Sequence, residues 1–177
     1  MNSTLRIERI DLGREDHTAI LRRLLDIYAR DPMGGGHALS GDVLQSLPER
    51  LRDWPGYVGL IAFEHDVAVG LLNAFTGFST FAARPLLNVH DIAVLPDHRR
   101  RGVGQALLAA LERIAHDMGC CKLTLEVLSN NEGALASYAR FGFAPYQLDP
   151  QAGQALFLQK WLDRQDDAPQ DKDQPPA

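Results

Sequence analysis

The segment Val94-Leu95-Pro96-Asp97-His98-Arg99-Arg100-Arg101-Gly102-Val103-Gly104 combines residue types suited to holding an anion. It joins an apolar run that reads as a strand to an apolar-periodic run that reads as a helix. Peptide N–H groups at a helix start have no intrahelical acceptor, and the positive end of the helix dipole lies behind them. Gly102 and Gly104 let the main chain approach a ligand closely, and three consecutive arginines add positive charge. The pattern Arg99-x-x-Gly102-x-Gly104 therefore suits a diphosphate. It lacks the Lys-Ser/Thr pair of a nucleotide P-loop and the spaced triple glycine of a dinucleotide-binding turn.

The elements that must position this loop are legible on either side. Leu86 to Val94 reads as a strand stopped by Pro96. Val103 to Met118 reads as a helix with Val103, Leu107, Leu111, Ile114 and Met118 on one face, closed by Gly119. Lys122 to Leu128 alternates polar and apolar residues, as a parallel strand after a right-handed crossover would, and Glu132 to Phe141 follows as a short helix. Upstream, Leu5 and Ile7 suggest a first strand, and Ile20 to Tyr28 has helical spacing ending near Arg30. Ser40 caps a second helix in which Pro48 predicts a kink or a split. Tyr57–Phe63 and Val67–Phe75 read as a hairpin, and Phe143–Tyr146 with Ala155–Lys160 as a closing pair of strands.

Composition sets the outer limits. The chain has 177 residues, 45% hydrophobic and 23% charged, with a formal net charge of −5. That is ordinary for one globular domain, here residues 1–162, and argues against a nucleic-acid partner. Residues 163–177 carry five aspartates against Arg164 and Lys172 and too little apolar surface to order themselves. Adjacent Cys120 and Cys121 form no ordinary bridge, which fits a reducing cytoplasm. No apolar run is long enough for a membrane span, and the six histidines show no metal-ligand spacing. No metal site is expected.

With these elements in place, the chain resembles the GNAT superfamily of N-acetyltransferases. Its pyrophosphate pattern, Gln/Arg-x-x-Gly-x-Gly/Ala, matches Arg99-x-x-Gly102-x-Gly104. A second signature matches Asn131-x-x-Ala134-x-x-x-Tyr138-x-x-Phe141-Gly142-Phe143. The resemblance covers Leu86 to Phe143 and implies a mixed α/β (α+β) fold, with a central twisted mixed sheet of about seven strands and helices on both faces. It further implies acetyl-CoA as acyl donor and an amine as acceptor. The amides of Arg99, Arg100, Arg101, Gly102, Val103 and Gly104 would hold the pyrophosphate. The backbone of Ile92, Ala93 and Val94 would pair with the pantetheine arm between splayed strands, and Asn131 would hydrogen-bond that arm, cap its helix, or both.

The same resemblance implies roles for three side chains. A lysine-like amine, with a pKa of about 10.4, must lose a proton before it attacks. Glu126 is the first candidate base and Asp91 the second, either one acting directly or through water. Tyr138 would protonate the departing thiolate. Acceptor choice falls to Tyr28–Ser40, Phe78–Phe81 and Tyr146–Gln154, and no residue selects a small-molecule over a protein amine. The Asp31–Gly36 run reads as a flexible connection or a mobile rim over the acceptor. A coenzyme A-binding sensor without turnover is the alternative reading, and family members are often homodimers.

Overall fold

The computed structural model describes residues 5–146 and 155–162, which fall into two compact units within Met1–Ala144 and Pro145–Ala177. In the first unit, β1 (Leu5–Arg9) is followed by α1 (Glu15–Arg30), α2 (Gly41–Arg52), β2 (Tyr57–Glu64), β3 (Val67–Ser79) and β4 (Arg84–Val94). Then come α3 (Val103–Asp117), β5 (Leu123–Leu125) and α4 (Glu132–Phe141). The five strands form one mixed sheet in sequence order, antiparallel except where β4 meets β5.

Alternation along β2 explains why the sheet is covered on both faces. Leu60 and Ala62 pack with Leu107, Leu108 and Leu111 of α3, whereas Ile61 and Phe63 pack with Leu21 and Leu24 of α1. Two buried faces require a nearly continuous apolar run, as β2 and β3 have. Burying each such leucine contributes about 1.5–3 kcal/mol relative to exposure. The two layers thereby fix β4 and α3, which carry the loop between them.

Pro48 lies inside α2 without splitting it. Proline has no N–H to give the carbonyl four residues earlier. Here the Leu44 carbonyl accepts from Arg22 Nε of α1 at 2.8 Å, so the group that proline leaves unpaired is satisfied by the neighbouring helix. The Asp31–Gly36 run forms a hydrogen-bonded turn. Pro32–Gly34 is a 3-10 turn capped by Asp31, and Gly36 N–H donates to Asp31 O while His37 N–H donates to Ala29 O, each at 3.1 Å. Gly34 packs so closely on the Tyr28 carbonyl that a Cβ there would collide with it.

Five strands are present among the described residues, rather than about seven. Neither Phe143–Tyr146 nor Ala155–Lys160 is a strand. Pro145 removes a ladder donor from the first segment, and a strand depends on a partner as much as on its own sequence. Residues 147–154, through which that pair would be joined, and 163–177, the expected acidic tail, lie outside the described residues.

Candidate active site

The strand expected over Lys122–Leu128 is short, and its shortness makes the site. β5 pairs with β4 only at Leu87↔Leu123, Asn88↔Thr124 and Val89↔Leu125. Beyond Val89, β4 continues to Val94, bonded to β3 on one edge and bare on the other. From His90 to Val94 the edge that faces away from β3 thus has no partner strand among the described residues, and only the Val94 carbonyl on it is taken, by Arg99 Nε. This stretch includes Ile92, Ala93 and Val94, the residues expected to meet a pantetheine arm.

The bare edge leads into the loop before α3. The N–H groups of Arg100 to Gln105 donate to no acceptor among the described residues. Gly102 has φ +87°, a left-handed conformation that glycine adopts without strain, and it caps α3. A Cβ on Gly102 would meet nothing within 4 Å, and one on Gly104 would meet only Val94 Cγ2 at 4.0 Å. The space above both glycines is open to a ligand. Such a ring of unsatisfied donors at a helix start fits a pyrophosphate.

The three arginines divide. Arg99 donates its N–H to Pro96 O, its Nε to Val94 O at 3.0 Å and its Nη2 to Asp31 Oδ2 at 2.7 Å. The amide cradle therefore begins at Arg100. Arg101 turns to the buried Glu64 carboxylate at 3.3 Å, which His98 Nδ1 also contacts at 2.7 Å. Arg99 and Arg101 brace the loop against α1 and β2. Arg100, with φ +61°, makes no ion pair among the described residues.

Of the two carboxylates considered as base, Glu126 is exposed beyond the end of β5, with Asn88 Nδ2 donating to it at 3.3 Å. Asp91 sits on β4 within the bare stretch, half-buried. Its Oδ2 accepts from Asn73 Nδ2 at 2.9 Å, and its Oδ1 lies 3.4 Å from His90 Nδ1. That carboxylate raises the His90 imidazole above its ordinary value, and Glu126 adds to the effect. The Tyr28 phenol is raised by burial first and then by Asp91 and Asp31.

Tyr138, on α4, packs against the α3 core with its ring 5.9 Å from that of Phe143. Burial, with Tyr28 nearby, pushes its phenol up to about 12, so it is protonated at neutral pH. Gln105 Nε2 donates to Ser137 O and Oγ, both at 2.9 Å, tying α4 to the first turn of α3. Asn131 Oδ1 accepts from Ala134 N–H at 3.2 Å, making it the cap of α4. Burial raises the Cys120 thiol, the opposite of what a nucleophile needs.

Beside the bare edge, on the α1 side, lies a cleft of about 280 Å³ lined by Tyr28, Asp31, Ala93, Val94, Leu95 and Arg99 among others. Sequence reasoning placed Tyr28 only at the margin of an acceptor region, and it gave no role to Tyr57 or Asn73. Asn73 left one signal: it is the only polar side chain in the run Val67 to Phe75.

The model of the acetyltransferase (GNAT) family matches residues 21–143. The chain belongs to this family. Among relatives of this GNAT protein, streptothricin acetyltransferase of Streptomyces lavendulae is 38% identical over 86 residues, 47% of this chain and 46% of the relative. The L-amino acid N-acyltransferase MnaT of Escherichia coli is 30% identical over 112 residues, 63% of each chain. The chain spans about half the length of the curated relatives it matches. Among solved structures, aminoglycoside N-acetyltransferase AAC(6')-Iy in complex with CoA superposes with a TM-score of 0.70 at 22% identity, covering 90% of this chain and 97% of that one. An aminoglycoside acetyltransferase from a soil metagenomic sample, in complex with sisomicin, gives the same TM-score and coverages at 18% identity. The GNAT fold is common to all three.

Proposed function

We propose that this protein is an N-acetyltransferase that transfers the acetyl group of acetyl-CoA to a primary amine by direct attack in a ternary complex. The observation that carries this reading is the presence of two main-chain surfaces in succession. The bare edge of β4 from His90 to Val94 is followed, after the turn from Pro96 to Arg99, by the unsatisfied amides from Arg100 to Gln105, which suits an extended arm and then its pyrophosphate. Asn131 remains able to donate from its Nδ2 while its Oδ1 caps α4.

Asp91 is the better-supported base. It lies on the bare stretch of β4, while Glu126 is exposed and held by Asn88. Asp91 takes a proton from the ammonium of the acceptor, directly or through one water. The amine nitrogen then attacks the thioester carbonyl carbon, forming the C–N bond and a tetrahedral oxyanion that the N–H near Ile92 stabilises. When the C–S bond breaks, sulfur leaves with the electron pair and nitrogen gives up its second proton. The net products are the amide, coenzyme A as thiol, and one proton released to solvent.

Tyr138 serves the leaving sulfur. With its phenol near 12 and an ordinary thiol near 8.5, complete proton transfer to the thiolate runs uphill by more than three pKa units. Its contribution is therefore a hydrogen bond to sulfur as negative charge develops there, with solvent completing protonation.

The acceptor class follows the named relatives. Small amines such as streptothricin, aminoglycosides and L-amino acids come first, and a protein N-terminal amine second. A panel of these amines with acetyl-CoA, scored by thiol release and by mass of the acetylated product, tests the proposal. Turnover with any of them supports the enzyme. Coenzyme A binding without turnover of any amine would instead support a sensor.

A further inference from the structure

A polar row crosses three neighbouring strands on the face that meets α1. Gly59 of β2, Asn73 of β3 and Asp91 of β4 stand directly opposite one another in the ladder. Tyr57 lies two residues before Gly59 on the same face, and its phenol covers the glycine. A Cβ at Gly59 would collide with the Tyr57 hydroxyl oxygen. From that position Tyr57 Oη donates to Asn73 Oδ1 at 2.9 Å, and Asn73 Nδ2 donates to Asp91 Oδ2 at 2.9 Å.

Two further features make this row a device rather than a packing accident. Asn73 is 2% exposed and lies in the run Val67 to Phe75, which is otherwise apolar, a place where a polar side chain is costly unless its groups are bonded. In addition, the register shifts by one residue at His90: Asn73 faces Asp91, and Ala74 faces Val89. Without that extra residue, Asp91 would follow Leu87 and Val89 onto the core face beneath α3. The bulge turns it over to Asn73 and the α1 side.

We propose that Asn73 and Tyr57 are positioning residues, which hold the Asp91 carboxylate in the orientation from which it takes the proton of the acceptor amine. The polarity of the row is fixed from its buried end. Burial and then Asp91 push the Tyr57 phenol above its ordinary range, so it stays a donor throughout the working range of pH. The Asn73 oxygen must therefore face Tyr57 and its NH2 must face Asp91, an arrangement that suits a carboxylate and not a second donor. Asn73 holds Oδ2, and Oδ1, which lies 3.4 Å from His90 Nδ1, is the oxygen left for the substrate side.

This inference rests on Asp91 as base, and the test separates the two. Steady-state kinetics would use the full chain, saturating acetyl-CoA and the amine found in the acceptor screen. Tyr57→Phe keeps the ring and removes the hydroxyl. It should lower kcat roughly ten- to hundred-fold, the cost of a slightly misplaced group, with KM for acetyl-CoA unchanged. In an Asp91→Asn background the same substitution should have no further effect. Gly59→Ala, which displaces the phenol, should act like Tyr57→Phe, and Asn73→Ala should act more strongly if it folds. An equal effect of Tyr57→Phe in both backgrounds, or none in the wild type, would overturn the positioning role while leaving Asp91 as base. Full activity of Asp91→Asn would overturn both.

Discussion

Arg99 and Asp31 join the loop before α3 to the end of α1 through an ion pair of 2.7 Å, although the two residues are 68 positions apart in the chain. The Arg99 guanidinium holds the Asp31 carboxyl below the usual range, assisted by the Met33 N–H. A depressed carboxylate contributes stability above its unfolded value of about 4, and that contribution is lost as pH falls through the lower native value. Asp31→Asn can keep the bond to Met33 but loses both the charge and the acceptor that faces Arg99. It should lower Tm slightly at pH 7, by the small amount typical of an exposed pair, with the gap closing below about pH 4. Thermal melts at the two pH values check this. The same variant should raise KM for acetyl-CoA, because Arg99 loses its anchor.

Gly104→Val isolates the anion cradle. The first atom it adds meets only Val94 Cγ2 at 4.0 Å, so the fold should accept it with little change in Tm. The side chain fills the space that a pyrophosphate would enter. Calorimetry should find coenzyme A affinity reduced at least about tenfold, or about 1.4 kcal/mol. Unchanged affinity would move the pyrophosphate elsewhere.

Tyr138→Phe should reduce kcat about ten- to hundred-fold with coenzyme A affinity nearly intact, the value of one hydrogen bond to a charged group. Its pH signature is separate from catalysis. Because the native phenol is raised to about 12 and an unfolded one lies near 10, the native state keeps its proton longer. The associated stability is full below about pH 10 and is lost as pH rises through about 12. Melts between those limits should therefore show the wild type losing stability faster than Tyr138→Phe.

Asp91→Asn and Glu126→Gln should separate clearly. Removing a general base costs about 10²- to 10⁴-fold, and that loss is expected for Asp91. Glu126→Gln should change kcat by less than about tenfold, below the range that a general base contributes. The reverse ranking in kcat would return the role to Glu126.

Much of this was legible in the letters. The glycine and arginine spacing around Gly102 marked the loop, because main-chain freedom and helix capping are local properties. α4, its Asn131 cap and the β2–β3 hairpin were legible for the same reason. Pro48 predicted a kink or a split; the helix is not split, and the donor replacing the missing N–H comes from Arg22 on another helix. The alternation of Lys122 to Leu128 said nothing of where β5 would leave β4, because that depends on the partner strand. The Tyr57–Asn73–Asp91 row was hidden for a similar reason. It is contiguous only across the sheet, and a one-residue bulge decides which face Asp91 occupies.

The short reach of β5 carries an evolutionary corollary. On the proposed function, donor recognition along His90 to Val94 relies on peptide groups that every residue except proline possesses, so most replacements there leave the docking edge intact. Gly102, with its left-handed backbone, has no such latitude. On that same function, the loop beside Asp31 and the outer turns of α1 and α2 can change toward new acceptors without altering the main-chain handle for the acyl carrier.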